Sequence, residues 1–269
     1  MLAHWWRSLR AARESRAVQR RAIPDALWQH TVSRYPFLAR LSAGDLTELR
    51  RLSSLFLDSK EFHGAHGFVV TDEVAVAIAA QACLPVLRLG LDGYGSFVGI
   101  VVHPDQAVAK REVMDEDGLV HHYDEVLSGE AMEGGPVMLS WRDVHDAGEL
   151  SRTPEGAPTG PWAYNVVIHE FAHVLDMGDG VADGVPLLPT AAAREQWLAV
   201  LMPEYDRFNE RVVCGYDTVL DPYGAEGPDE FFAVASEAFF VTPREMKEEQ
   251  PALYRLLSSY YLQDPAEPA

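Results

Sequence analysis

His169, Glu170 and His173 stand in the spacing His-Glu-x-x-His, inside the run Asn-Val-Val-Ile-His-Glu-Phe-Ala-His-Val-Leu-Asp over residues 165–176. On an α-helix, side chains four apart lie one turn along on nearly the same face, so two imidazoles can converge on one metal ion. Glu170 follows the first histidine and projects to one side of the pair, where it can reach a water on that metal without being a ligand. This is the arrangement a zinc hydrolase needs. Val166, Val167, Ile168, Phe171, Ala172, Val174 and Leu175 make the segment apolar nearly all round, which predicts a buried helix. Buried His, Glu and Asp side chains must find partners. The plain alternative is a pair of core histidines with ordinary hydrogen bonds.

A catalytic zinc takes three protein ligands and leaves one position for water. The best region for a third ligand is 221–240, where Pro228 and Asp229 open a helix and Phe231, Phe232, Val234, Ala235, Phe239 and Phe240 make it apolar. Glu230 and Glu237 are seven apart, so both lie on one face of this helix, two turns from one another. Glu230 has an ordinary alternative as a helix N-terminal carboxylate favoured by the macrodipole. For Glu237 a solvated face stands against a hydrogen bond to a ligand histidine that sets its tautomer. Asp176, three residues after His173, is a similar candidate. Tyr223 sits seven residues before Glu230, in the loop entering the helix. A tyrosine hydroxyl near zinc can stabilise an oxyanion, but a lone loop tyrosine also simply packs, and spacing does not separate the two.

The elements that must position these groups follow from the pattern. Pro24-Asp-Ala26 starts a short helix to about Val32. Ser42-Ala-Gly-Asp45 leads into a helix with Leu46, Leu49, Leu52, Leu55 and Phe56 on its buried stripe, and Thr71-Asp-Glu73 caps another that ends at Pro85. Strands are expected at 97–102 and 136–141, with a further one at 107–113. The acidic stretch 115–133, which contains His121 and His122, reads as a loop or irregular hairpin. Gly/Pro-rich segments flank the metal motif at 148–161 and 176–189. Helices are expected at about 190–201, 203–213, 228–240 and 249–262. Helices around a small sheet, without strand–helix–strand alternation, argue for an α+β fold.

Composition narrows the function classes. The 269 residues are 48% hydrophobic and 23% charged, an ordinary soluble globular balance. The net charge of −19 argues against direct nucleic-acid binding by the body of the protein. Residues 1–22 carry six Arg and one Glu, a net of +5 that leaves −24 for the rest. Leu2, Trp5, Trp6 and Leu9 fall at helical spacing there, giving either a basic amphipathic helix for a membrane surface or an arm or first helix packed on the acidic body. The two cysteines, Cys83 and Cys214, make no disulfide framework and read as buried thiols. No apolar run reaches the length of a membrane span and no signal-peptide core is visible, so a cytoplasmic location is expected.

The combination of Val-Ile-His-Glu-Phe-Ala-His-Val-Leu-Asp with Tyr-Gly-Ala-Glu-Gly-Pro-Asp-Glu-Phe-Phe-Ala-Val-Ala-Ser-Glu-Ala-Phe-Phe resembles the Mlc titration factor A family, also called the DgsA anti-repressor family, of glucose-regulated zinc metallopeptidases. The likeness extends to Leu-Pro-Val-Leu-Arg-Leu-Gly-Leu at 84–91, Gly-Leu-Val-His-His-Tyr-Asp-Glu-Val-Leu-Ser-Gly-Glu at 118–130 and Gly-Pro-Val-Met-Leu-Ser-Trp at 135–141, and covers most of residues 23–264. That family is similar in its catalytic domain to the anthrax lethal factor protease, a zincin-like fold. The resemblance implies one zinc ion on His169, His173 and Glu230, Glu170 as general base, and Tyr223 as the transition-state tyrosine. It also implies His121 as a further zinc contact in a resting, self-blocked form; His122 beside it is the competing choice.

The expected organisation is a basic arm or helix at 1–22, one zincin-like domain at 23–264 and a tail at 265–269. The resemblance further implies aminopeptidase-like activity on small peptides and binding to a Mlc-type repressor of glucose-uptake genes. With His121 in the open position, the 115–133 loop must swing away before substrate enters. The second reading is a non-catalytic, zinc-stabilised binding protein that sequesters a transcription repressor.

Overall fold

The computed structural model describes residues 2–114, 120–147 and 162–267, with the side chains of 2–4, 6–9 and 108–126 outside the description. Its helices are α1 (Leu2–Arg20), α2 (Asp25–Arg34), α3 (Pro36–Ala39), α4 (Ala43–Ser59), α5 (Asp72–Cys83), α6 (Trp141–Asp146), α7 (Val166–Asp176), α8 (Ala191–Val213), α9 (Pro228–Val241), α10 (Pro243–Glu249) and α11 (Pro251–Tyr261). The strands are β1 (Glu61–Gly64), β2 (Gly99–His103), β3 (Ala107–Met114), β4 (Val120–Leu127), β5 (Gly129–Ala131) and β6 (Val137–Ser140). Helices predominate around a four-stranded sheet of order β1-β2-β6-β5, beside a separate β3-β4 ribbon.

In the sheet, β1, β2 and β6 run parallel, while β5 is antiparallel to β6 and forms one edge. The β1–α5–β2 crossover departs from the expected lack of strand–helix–strand alternation. Its first strand, Glu-Phe-His-Gly, has a single apolar residue and no period for pattern reading to catch. The acidic stretch takes the hairpin alternative, with β4 paired antiparallel to β3 and then β5. The Gly/Pro-rich segment 148–161 lies outside the described residues.

Two proline effects differ from expectation. The break between 190–201 and 203–213 does not occur, because α8 runs through Pro203. That proline removes one bond to the carbonyl four residues back, but Trp197, Leu201 and Phe208 hold both halves in the core. The helix expected at 249–262 begins only at Pro251, with Gln250 out of helical geometry at its N-cap (φ −122°, ψ 57°), and α10 is a separate element before it.

The apolar side of α7 explains its place. Phe171 is fully buried with its ring 4.9 Å from Tyr94, 5.6 Å from Phe56 and 5.8 Å from Phe97. This aromatic cluster ties α7 to α4 and to the segment before β2. On its other flank α7 packs against α9, which is buried from Phe231 to Val241. At its start, Asn165 caps the helix by accepting from the Ile168 N–H at 2.9 Å, and its side-chain amide donates to buried Gln81 of α5 at 2.8 Å.

The N-terminal helix α1 packs on the body of the protein. Arg20 pairs with Asp58 at 2.8 Å, Arg10 with Asp92 at 3.1 Å and Glu14 with Arg51 at 3.1 Å, so α1 lies along α4. Cys83 is buried as expected, but Cys214 is exposed because α8 ends there at the surface. Among the described residues, no helix is long and apolar enough to cross a membrane.

Asn165→Ala removes the cap and leaves the Ile168 N–H and Gln81 Oε1 buried without these partners. The expected loss is about 2–4 kcal/mol, from a cap of about 1 kcal/mol plus unpaired buried groups. Urea unfolding measures it; a loss below about 0.5 kcal/mol would mean that the start of α7 is held by other contacts.

Candidate metal centre

Helix periodicity places His169 and His173 on one face of α7, and their Nε2 atoms stand 3.1 Å apart. Gly227 and Pro228 begin α9, so Glu230 falls in its first turn with its carboxylate directed at the same point. Glu230 Oε2 lies 3.1 Å from His169 Nε2 and 3.4 Å from His173 Nε2. Among the described residues this is the set of three metal-ligating side chains whose ligand atoms converge within 4.8 Å of one another. Their side chains are 13%, 13% and 19% exposed, which leaves a narrow opening to solvent.

The start of α9 is fixed from outside. Gly184, at φ 76°, approaches so closely that a Cβ there would meet the Pro228 carbonyl oxygen at 2.3 Å. Gly184 is itself held through its N–H to Asp176 Oδ2 at 2.9 Å and its carbonyl to Trp197 Nε1 at 2.8 Å. The loop after the motif therefore seats the helix that supplies Glu230. Asp176 serves this loop and is not seen on His173, contrary to expectation. It is fully buried, and its hydrogen-bonded oxygen faces Gly184.

The donor set fits a metal ion. Glu230 Oε2 is buried yet accepts no hydrogen bond, although two ring nitrogens lie within 3.4 Å. Three electron-pair donors thus point at one common position. Ligand atoms about 2.0–2.1 Å from a tetrahedral zinc lie roughly 3.3–3.4 Å apart, close to the separations here. Two imidazoles and one carboxylate are also a zinc-type donor set.

Glu237 settles on the outer side of His169. Its Oε1 is 2.8 Å from His169 Nδ1, and its Oε2 accepts from the Asn165 N–H. A proton on Nδ1 directed at this carboxylate leaves Nε2 as the free lone pair for a metal. Glu237 is buried, which excludes the solvated-face alternative. Glu230 and Glu237 grip opposite nitrogens of one ring from positions two turns apart on α9.

Charge in this cluster is unevenly shared. Burial alone would lower the His169 pKa, but Glu230, Glu237 and Glu170 together raise it well above the ordinary histidine value. Burial alone would likewise raise Glu230, yet the two imidazoles hold its carboxyl well below the usual carboxylate range. Burial pushes Glu170 up to about 7, against the lowering effect of the two histidines. Glu170 is 5% exposed, and the Ala131 backbone of β5 acts to lower its pKa.

Tyr223 lies on the short turn Pro222–Ala225, half exposed, with its ring 6.0 Å from the His169 ring. His121 has its backbone on β4 opposite Val113, and His122 is opposite Glu112; their side chains lie outside the described residues. Sequence reasoning missed the contribution of β5, which brings Gly129 and Ala131 against Glu170. The signal available was a glycine within the acidic stretch, without a strand pattern to give it meaning.

The family described as Glucose-regulated metallo-peptidase M90 matches residues 7–262 of this chain. An uncharacterized protein of Synechocystis sp. is 38% identical over 267 residues, covering 97% of this chain and 90% of its own length. Mlc titration factor A of Pectobacterium atrosepticum is 37% identical over 243 residues, 88% of this chain and 86% of that protein. Mlc titration factor A of Escherichia coli O1:K1 / APEC is 34% identical over 252 residues, 92% of this chain and 90% of that protein. The match begins within α1, so the likeness reaches further toward the N-terminus than residue 23.

A raised His169 pKa means that the metal-free site holds a proton near neutral pH which a bound cation must expel. Zinc affinity should therefore rise with pH through the His169 titration, with release of about one proton per zinc at pH 7. Calorimetry in buffers of different ionisation enthalpy counts that proton; binding with none released contradicts the assignment of His169 as a ligand.

Proposed function

The chain belongs to the glucose-regulated metallo-peptidase M90 family, and on that premise we propose that it is a zinc-dependent peptidase with aminopeptidase-like action on small peptides. His169, His173 and Glu230 hold one zinc ion in this reading, within a zincin-like domain spanning residues 23–264. The observation that carries it is the convergence of three ligand atoms on one position, with the buried Glu230 Oε2 left without a hydrogen bond.

When bound, zinc supplies Lewis acidity and makes water nucleophilic at neutral pH. Glu170 takes the proton of the attacking water and delivers it to the leaving amine as the C–N bond breaks. Its burial supports this, since a desolvated carboxylate holds a proton better than an exposed one. Tyr223 donates from its hydroxyl to the oxyanion of the tetrahedral intermediate. Glu237 keeps the His169 ring in the tautomer that presents Nε2. The outer edge of β5, beside Glu170, offers backbone groups to an extended peptide.

His121 is proposed as the group that blocks the site at rest, so the stretch 115–133 must swing away before substrate enters. Relatives named Mlc titration factor A support a Mlc-type repressor as partner, and a cytoplasmic location is proposed with it. Those same names favour a second reading, in which the chain sequesters the repressor and zinc serves the fold alone.

Glu170→Gln should keep one equivalent of zinc while lowering hydrolysis of chromogenic amino-acid amides by about 100-fold or more, the scale of a lost general base. Full activity would sink the base assignment. Capture of a Mlc-type repressor by this variant should equal that of the wild type if binding is independent of catalysis. His121→Ala should retain zinc and preserve or raise turnover; loss of zinc would make His121 an essential ligand instead.

A further inference from the structure

Gly129 opens β5, a three-residue edge strand. Glycine weakens a strand, and inside one it commonly marks a place where another group comes close. The described glycines with positive φ are Gly67, Gly90, Gly134, Gly180, Gly184 and Gly215; Gly129 is not among them, so its backbone would accept an alanine. The space around it would not. A Cβ at 129 would lie 2.4 Å from Glu170 Oε1, 2.6 Å from its Cγ and 2.8 Å from its Cδ.

We propose that Gly129 is a positioning residue for Glu170, its missing side chain forming the slot in which that carboxylate lies. The inference rests on the reading of Glu170 as the proton-transferring base. The missing Cβ at 129 leaves room for the Glu170 side chain. The slot sets where the carboxylate points, on a helix already anchored by Phe171.

Other close glycines act differently. Gly64 and Gly184 make room for backbone atoms, Phe68 O at 1.7 Å and Pro228 O at 2.3 Å, so a side chain there would disturb the path of the chain. At Gly129 the intruding group is a side chain with rotatable bonds. An added methyl therefore moves the carboxylate before it moves the fold. The three atoms nearest to the methyl all belong to Glu170. The loss should fall on kcat, with metal and substrate binding kept.

The test compares Gly129→Ala, Glu170→Gln, the double variant and wild type for zinc content, kcat and KM on an amino-acid amide. Gly129→Ala should retain one zinc, change KM less than about twofold and lower kcat at least about tenfold, because a displacement of about 1 Å can cost 100-fold. With Glu170→Gln already present, adding Gly129→Ala should alter the residual rate less than about twofold. An equal loss in both backgrounds, or a wild-type kcat in Gly129→Ala, overturns the proposal. Wild-type activity in Glu170→Gln instead removes the base assignment on which it stands.

A thermal-melting comparison keeps the contact testable if Gly129→Ala folds poorly. Gly129→Ala should lower Tm less when Glu170→Ala has emptied the slot than when Glu170 is present. An equal drop in the two backgrounds shows that the methyl clashes with something other than Glu170.

Discussion

Everything at the candidate centre depends on how one imidazole is held. His169 has Glu237 on Nδ1 and Glu230 facing Nε2, both from α9, while the ring itself belongs to α7. A ligand geometry of this kind needs the two helices locked in rotation and in height relative to each other, to within a fraction of an ångström. The aromatic cluster around Phe171 locks α7 on one side. Buried Asn165 fixes its start by joining Ile168, Gln81 and Glu237 through three hydrogen bonds. Gly184 fixes the height of α9 by seating Pro228. The sheet contributes its edge, where β5 shapes the surroundings of Glu170.

The charge arithmetic of the site points the same way. Glu170, Glu230 and Glu237 surround two imidazoles in a buried setting, within a chain of net charge −19. Buried carboxylates repel one another and are poorly solvated, so the cluster calls for positive charge. Protons supply it in the metal-free chain, as the raised His169 and Glu170 pKa values show. A divalent cation supplies it in a form that also leaves Glu170 free to accept a proton. A ligand that binds the folded chain alone also adds its binding free energy to stability.

Much of this was legible in the sequence because it is local. The helical spacing of His169, Glu170 and His173, and the seven-residue interval between Glu230 and Glu237, are properties of single helices. A one-helix pattern cannot tell which carboxylate faces which ring nitrogen, so Glu230 and Glu237 were separable only once α7 and α9 were placed side by side. Asp176 had the right spacing for His173 but turned to the backbone of Gly184, a contact made through a loop that carries no periodic signal. β1 and β5 escaped notice for a related reason, since strands of four and three residues are too short for alternation to register. The role of Gly129 is wholly tertiary, because its neighbour in space is 41 positions away in the chain.

The most direct measurement is the position and ligation of zinc in crystals of the metal-loaded protein, located by anomalous scattering at the zinc edge. The account requires a single strong peak about 2.0–2.2 Å from His169 Nε2, His173 Nε2 and a Glu230 carboxylate oxygen, with Glu237 remaining on His169 Nδ1. A peak ligated by other residues, or one in which Glu230 turns away and Glu237 coordinates in its place, would contradict it.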